Sequence, residues 1–218
     1  MADLKDYLDI DDIEVGIDEA GLGCVAGPFF VGAVILPKKC PEEEHLKLWN
    51  SIRDSKKVSK KKRYLLADYI KDIVLDYAVV EVSNEQIDTE GTNILKERLK
   101  AYHDVLDKLN IPIDNILVDG NKFKPYLSKD GDFVPHICIE KGDNKFRAIA
   151  AASILAKTSK DEHDIKIHNE YPVYNWDSNS CYLTSKHKEA IMEYGITPYH
   201  RKTFGICKQW KELPQNYL

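Results

Sequence analysis

Val15-Gly16-Ile17-Asp18-Glu19-Ala20-Gly21-Leu22-Gly23 is the stretch from which the fold is read. Val15 to Glu19 has the apolar content of a short buried strand, and it runs into a glycine-rich turn at Gly21-Leu22-Gly23. A second apolar run, Phe29 to Leu36, ends at Pro37. Tyr64 to Ile70 places apolar residues at helical spacing, and Ile73 to Val82 is β-branched and apolar, as a strand should be. Asn84 to Leu109 predicts one short and one longer helix. Ile116 to Asp119 predicts a buried strand that stops at Gly120, and Phe133 to Glu140 a strand stopped by Gly142. The strongest helix signal follows, with Asp143 or Asn144 as its cap and Ala148, Ala150, Ala151 and Ala152 in its body. Side chains that small let a helix sit close against a sheet. Strands interspersed with helices predict an α/β domain with helices on both faces of the sheet. From about Tyr171 the chain is rich in Tyr, Lys and His and has no strand signal. The expected organisation is one domain over residues 1–218: an α/β core over about 14–170 and a helical C-terminal extension over about 171–218.

The 218 residues are enough to bury roughly 70% of the unfolded chain's surface, so no disulfide or zinc staple is required. A hydrophobic content of 43% beside 31% charged residues suits a soluble globular protein and argues against disorder along the whole chain. The net charge of -5 neither favours nor excludes a nucleic-acid partner, because binding responds to local charge. The acidic segment Met1 to Glu14 lacks the basic and apolar regions of a secretory signal, and no apolar run is long enough to span a membrane. Five cysteines, Cys24, Cys40, Cys138, Cys181 and Cys207, are scattered without a C-x-x-C pair. They point to reduced thiols in a reducing compartment, the cytoplasm, and away from a structural zinc site.

The chemistry lies in the carboxylates. Asp18-Glu19 and Asp119 sit where predicted strands run out, and Asp143 follows Lys141-Gly142 just beyond another. In α/β sheets functional groups gather at strand ends and the adjoining loops. Each motif alone is ordinary: a solvated strand end, a turn, a helix cap. Together, on neighbouring strands, they would bring four like charges within a few ångströms, and mutual repulsion would raise their pKa values. Two Mg²⁺ ions, hard cations that take oxygen ligands, would cancel that repulsion. Two such ions about 4 Å apart form a clamp for phosphodiester cleavage. The glycine turn is a poor nucleotide loop, since no Gly-Lys-Ser/Thr follows it.

Gly16-Ile17-Asp18-Glu19-Ala20-Gly21-Leu22-Gly23-Cys24-Val25-Ala26-Gly27-Pro28 strongly resembles the opening motif of ribonuclease HII. Asp54-Ser55-Lys56-Lys57-Val58-Ser59 is similar to that family's D-S-K-x-L-S segment. Val118-Asp119-Gly120 and Lys141-Gly142-Asp143 match its next two carboxylate motifs. Ala150-Ala151-Ala152-Ser153-Ile154-Leu155-Ala156-Lys157 resembles its alanine-rich helix. Thr184-Ser185-Lys186-His187 and Thr197-Pro198-Tyr199-His200-Arg201 continue the match, in family order, to about residue 205.

The resemblance implies an RNase H-like fold: a mixed central sheet flanked by helices. It also implies an endonuclease dependent on Mg²⁺ or Mn²⁺, with two divalent ions held by Asp18, Glu19, Asp119 and Asp143. The implied substrate is the RNA strand of RNA/DNA hybrids, or a ribonucleotide embedded in duplex DNA, cut to leave 5′-phosphate and 3′-hydroxyl ends. In the family the glycine turn, here Gly21, Leu22 and Gly23, reads the ribose 2′-hydroxyl through main-chain groups. Tyr182 matches the tyrosine that packs on the sugar, and Lys56 a phosphate contact. Lys60 to Arg63, Lys141, Lys186, His187 and Arg201 are further phosphate-contact candidates.

This chain departs from the pattern in two places. Leu22 stands where the family turn carries Arg or Lys, and Ser180-Cys181 precedes Tyr182 where Lys-Gly is common. Both bear on recognition of the ribonucleotide junction more than on catalysis. Two other readings compete: a ribonuclease HIII-like hybrid nuclease, or a nucleic-acid-binding module with a weak active site. Only about a dozen residues precede the first strand, which leaves no room for the substrate-binding domain usual in ribonuclease HIII. The segment Trp210 to Leu218 carries no clear sliding-clamp peptide. A monomer with no protein partner and no membrane association is expected.

Overall fold

β1 (Glu14–Ala20) is buried at six of its seven residues and forms the middle of the sheet. The structure, a computed structural model, describes residues 4–53, 55 and 58–210. Its elements run in the order β1, β2 (Phe29–Ile35), α1 (Leu46–Trp49), α2 (Lys60–Ile73), β3 (Asp76–Val82), α3 (Asn84–Asp88), α4 (Ile94–Leu106), β4 (Asn115–Asp119), β5 (Tyr126–Leu127), β6 (Phe133–Val134), β7 (His136–Ile139), α5 (Arg147–Glu170), α6 (Trp176–Asn179) and α7 (Ser185–Tyr194). The main sheet has the strand order β3-β2-β1-β4-β7, and β5 pairs with β6 in a separate ribbon. β1 is antiparallel to β2 and parallel to β4, which is parallel to β7. The sheet is therefore mixed, as expected.

The chain divides into two compact units. The first comprises residues 1–20, 30–80 and 98–158; the second comprises 21–29, 81–97 and 159–218. The division falls inside α5, after Thr158.

In the first unit a close contact between helix and sheet organises the core. Gly16 lies opposite Val34 and Asp18 opposite Gly32, so all four share one face of the β1–β2 pair. α5 crosses that face. A Cβ on Gly16 would stand 2.3 Å from the carbonyl carbon of Ala148, and one on Gly32 would stand 2.5 Å from the carbonyl oxygen of Ala152. Neither position has room for any side chain. Ala148, Ala150, Ala151 and Ala152 complete the contact from the helix and join a core that includes Val34, Ile52, Leu66 and Ile70. Glu19, one residue on from Asp18, points to the opposite face, where α4 supplies Tyr102.

Several boundaries differ from the sequence reading, each for a local reason. Ile73 closes α2 instead of opening a strand, and β3 starts at Asp76. The run Phe133 to Glu140 is split at Pro135, which has no N–H to give to a ladder. Asp143 and Asn144 lie in a 3₁₀ turn, Gly142–Asn144, entered through Lys141 in the left-handed region (φ 56°), and α5 begins only at Arg147. Asp143 is therefore not the helix cap. No described helix is long and apolar enough to cross a membrane.

The second unit packs Val25, Ala26, Ile167, Trp176, Cys181 and Ile191 into a core of its own. A chain of neutral polar groups runs through it. The His187 Nδ1 hydrogen is directed at the Tyr182 carbonyl oxygen at 2.9 Å, so Nε2 accepts, from Trp176 Nε1 at 3.1 Å and from His200 Nε2 at 3.2 Å. His200 Nδ1 in turn accepts the Thr197 N–H at 2.9 Å. Every ring nitrogen is committed, and His200 Nδ1 also lies 3.0 Å from the Thr197 hydroxyl. Burial lowers the pKa of both rings, that of His200 to about 3 with a smaller push from His187.

Two predictions follow from these cores. Gly16→Ala should lose about 2–3 kcal/mol of stability, because backbone must move to admit the methyl group, and denaturant titration measures it. As pH falls from about 6.5 towards about 3, the unfolded chain takes up a proton that folded His200 refuses, so stability falls with pH. The unfolding midpoint should drop between pH 7 and pH 5, and His200→Gln should flatten that drop. An identical slope in the variant would show that the buried ring is not its source.

Candidate active site

Asp18 stands near the end of β1 with 6% of its surface exposed. The parallel register pairs Ile17 with Val118, so the next residues on the two strands are Asp18 and Asp119. Asp119 ends β4 opposite Ile139, the last residue of β7. Three neighbouring parallel strands thus end on one edge, which is where the sequence placed the carboxylates.

The electrostatics record their closeness. Burial holds the Asp18 carboxyl well above the usual carboxylate range, and the charges of Glu19 and then Asp119 push it further up. A side-chain bond from Ser153 on α5 and the Glu19 N–H, 2.7 Å from Oδ1, pull the other way. Ser153 is itself 3.0 Å from the Ser55 hydroxyl. The Gly142 N–H donates to Asp119 Oδ1 at 2.6 Å, which brings the loop after β7 against this carboxylate. Asp143 is the next residue in that loop. It is half-buried, and its Oδ1 accepts from Asn144 Nδ2 at 2.8 Å.

Glu19 has a different setting. Its Oε2 accepts a hydrogen bond from the Tyr102 hydroxyl, and its Oε1 lies 3.5 Å from Arg98 Nη1. Tyr102 is fully buried and stacked on Phe123 at 6.0 Å, and the Arg98 guanidinium stands 5.6 Å from its ring centre. Sequence reasoning missed Tyr102 and Arg98. They stand four apart on α4, the spacing that puts two side chains on one helix face, but nothing in the sequence says that this face meets Glu19.

The donor set fits a divalent cation. It is all oxygen and all carboxylate, and repulsion from Glu19 and Asp119 already opposes ionisation of Asp18. Among the described residues, the trio whose ligand atoms all lie within 4.8 Å of one another is another group, Glu42, Glu44 and His45. It stands at the exposed turn before α1, where acidic groups commonly hold no ion.

The glycine turn belongs to the second unit. Gly21 has φ +97°, a backbone conformation that disfavours any side chain, and a Cβ there would stand 2.7 Å from Lys160 Cε. Arg201, fully buried, holds the turn: Nη2 donates to the Gly21 carbonyl at 2.8 Å, Nη1 to Leu22 at 2.9 Å and Nε to Gly27 at 2.9 Å. Lys160 forms a buried ion pair with Asp164, which also accepts from the Cys181 thiol at 3.2 Å. The ring of Tyr182, 47% exposed, lies 3.4 Å from where a Gly23 Cβ would be, so the structure brings together the turn and the predicted sugar-packing tyrosine. Ser180 and Cys181, just before it, both have positive φ, 49° and 63°. That explains why glycine would suit position 181.

Two phosphate-contact candidates are corrected. Arg201 spends its guanidinium on main-chain carbonyls and is out of reach of solvent, and His187 is buried among Trp176, His200 and Tyr182. Lys141 and Lys186 are exposed. Lys60, Lys61 and Lys62 are exposed in the first turn of α2, while Arg63 is buried and donates to the Val58 carbonyl at 3.3 Å. Lys56, with Asp54 and Lys57, lies outside the described residues, as do 211–218 of the C-terminal segment.

Comparison with known proteins agrees with the motif order. The profile of the family described as Ribonuclease HII matches residues 15–208. A ribonuclease HII of Bacteroides thetaiotaomicron is 44% identical over 203 residues, covering 93% of this chain and 94% of the relative. One of Christiangramia forsetii is 46% identical over 192 residues, 88% of this chain and 89% of that protein. Among solved structures, the ribonuclease H2 of Pyrococcus horikoshii superposes with a TM-score of 0.72 at 27% identity, covering 89% of this chain and 95% of that one. The ribonuclease HII in a PCNA complex from Archaeoglobus fulgidus gives 0.70 at 27%, covering 90% and 97%. With this coverage in sequence and in structure, the chain belongs to the ribonuclease HII family and is an endoribonuclease of the ribonuclease H type, with the RNase H-like fold.

Proposed function

We propose that Asp18, Glu19, Asp119 and Asp143 hold two divalent ions, Mg²⁺ or Mn²⁺, and that the enzyme cuts the RNA strand of RNA/DNA hybrids and single ribonucleotides embedded in duplex DNA. The observation that carries this reading is the crowding of carboxylates at the strand ends: burial, and then the charges of Glu19 and Asp119, push the Asp18 carboxyl up, and a bound cation would offset that push. Bound ions would supply that charge, activate a water and stabilise the leaving oxygen, giving 5′-phosphate and 3′-hydroxyl ends. The protein's own part is to hold the carboxylates. β1 and β4 align Asp18 and Asp119, the Gly142 N–H orients Asp119, and Ser153 orients Asp18.

Discrimination of RNA from DNA falls to the Gly21-Leu22-Gly23 turn and Tyr182. Main-chain groups of a turn without bulky side chains can approach a 2′-hydroxyl, the group that separates ribose from deoxyribose. The exposed Tyr182 ring offers a flat face for the sugar. Exposed Lys60, Lys61, Lys62, Lys141 and Lys186, together with Lys56, supply candidate phosphate contacts. Five cysteines without a disulfide support a reducing compartment, the cytoplasm. We further propose that the two units act as one monomeric catalytic domain without a protein partner.

Cleavage of a DNA duplex carrying one ribonucleotide should require added Mg²⁺ or Mn²⁺, and chelator should stop it. Asp18→Asn should lower the rate by on the order of 10³-fold while duplex binding persists. Wild-type cutting by Asp18→Asn overturns the site. Leu22→Arg should tighten binding to the same duplex by about 1 kcal/mol and steepen its salt dependence, because it adds a charged phosphate contact. Gel-shift titration at several salt concentrations measures both, and unchanged affinity counts against the turn as a substrate contact.

A further inference from the structure

We infer that Tyr102 and Arg98 set the divalent-metal affinity of the carboxylate site through Glu19, Tyr102 as a positioning residue and Arg98 as a competing cation. The inference rests on the proposed metal site. Glu19 ends on the α4 side of the sheet, and its two oxygens are treated differently there. Oε2 takes a hydrogen bond from the hydroxyl of a fully buried tyrosine whose ring stacks on Phe123. Oε1 has the longer, 3.5 Å contact with Arg98, a side chain that also stands 5.6 Å from the Tyr102 ring centre.

A carboxylate pinned through one oxygen presents the other in a set direction, which is how partners outside the ligand shell usually orient a metal ligand. A guanidinium standing on that second oxygen occupies the place of a divalent cation and repels one electrostatically. The two residues therefore act in opposite senses. The hydroxyl prepares Glu19 for an ion, and the guanidinium holds the carboxylate's charge until an ion replaces it. Such an arrangement offsets the charge of Glu19 alone in the metal-free protein and makes loading at that carboxylate an exchange of one cation for another.

Mn²⁺ binding by the full-length protein, followed by calorimetry and by the loss of the free Mn²⁺ spin-resonance signal, tests this without reference to turnover. Tyr102→Phe keeps the ring and its stack and removes only the hydroxyl. It should weaken Mn²⁺ about tenfold, and its cleavage rate should recover at saturating Mn²⁺, so that the half-saturating metal concentration moves and the maximal rate does not. Arg98→Gln should tighten Mn²⁺ severalfold. Affinity within twofold of the parent in Tyr102→Phe, with an unchanged unfolding midpoint, overturns the role of Tyr102. Affinity no tighter in Arg98→Gln overturns that of Arg98. Asp18→Asn separates the two levels. If it leaves Mn²⁺ binding intact, the metal site itself is misplaced; if it abolishes binding while Tyr102→Phe does not weaken it, only the present inference fails.

Discussion

The contact between α5 and the β1–β2 pair is the constraint on which the first unit depends. Gly16 and Gly32 leave the sheet bare at two points, and the backbone at Ala148 and Ala152 fills them. That closeness fixes where the helix stands along the strands, and it thereby delivers Ser153 to Asp18. The packing and the chemistry are therefore set by one feature. A residue of ordinary size at either glycine would lift the helix and, with it, the hydroxyl that opposes the rise in the Asp18 pKa.

Around this contact the pleat of β1 separates two neighbouring carboxylates. Asp18 turns towards α5 and Glu19 towards α4, so each is answered by a different helix: a serine hydroxyl on one side, a tyrosine hydroxyl and a guanidinium on the other. Asp119 is answered from a third direction, by the main-chain N–H of Gly142. Each charge is thus held by a separate part of the fold, although the charges themselves repel one another.

Much of this was legible in the sequence because it is local. The strand ends at Asp18 and Asp119, the two helices between Asn84 and Leu109, and the alanine-rich helix all follow from composition and period over a few residues. The boundaries that moved did so where one residue changed the backbone: Pro135 without its N–H, and Lys141 in a left-handed conformation that delays α5 to Arg147. What could not be read was pairing across long separations. Tyr102 meets Glu19 across 83 positions and Arg201 meets Gly21 across 180. A basic residue in a run of family motifs suggests a phosphate contact, and only its burial shows Arg201 bound to carbonyls. The chemistry of His187 was obscured in the same way, since a surface helix and a buried one can carry the same short motif.

Arg201 grips the glycine turn by two main-chain oxygens, those of Gly21 and Leu22, and the chain beyond it by a third, that of Gly27. Arg201 accordingly holds residue 22 by its carbonyl, a group that every side chain there leaves in place. Leucine, lysine or arginine can be exchanged there without rebuilding the scaffold, which makes this position a natural place for lineages to adjust how strongly they grip a nucleic acid while keeping the geometry that inspects the sugar.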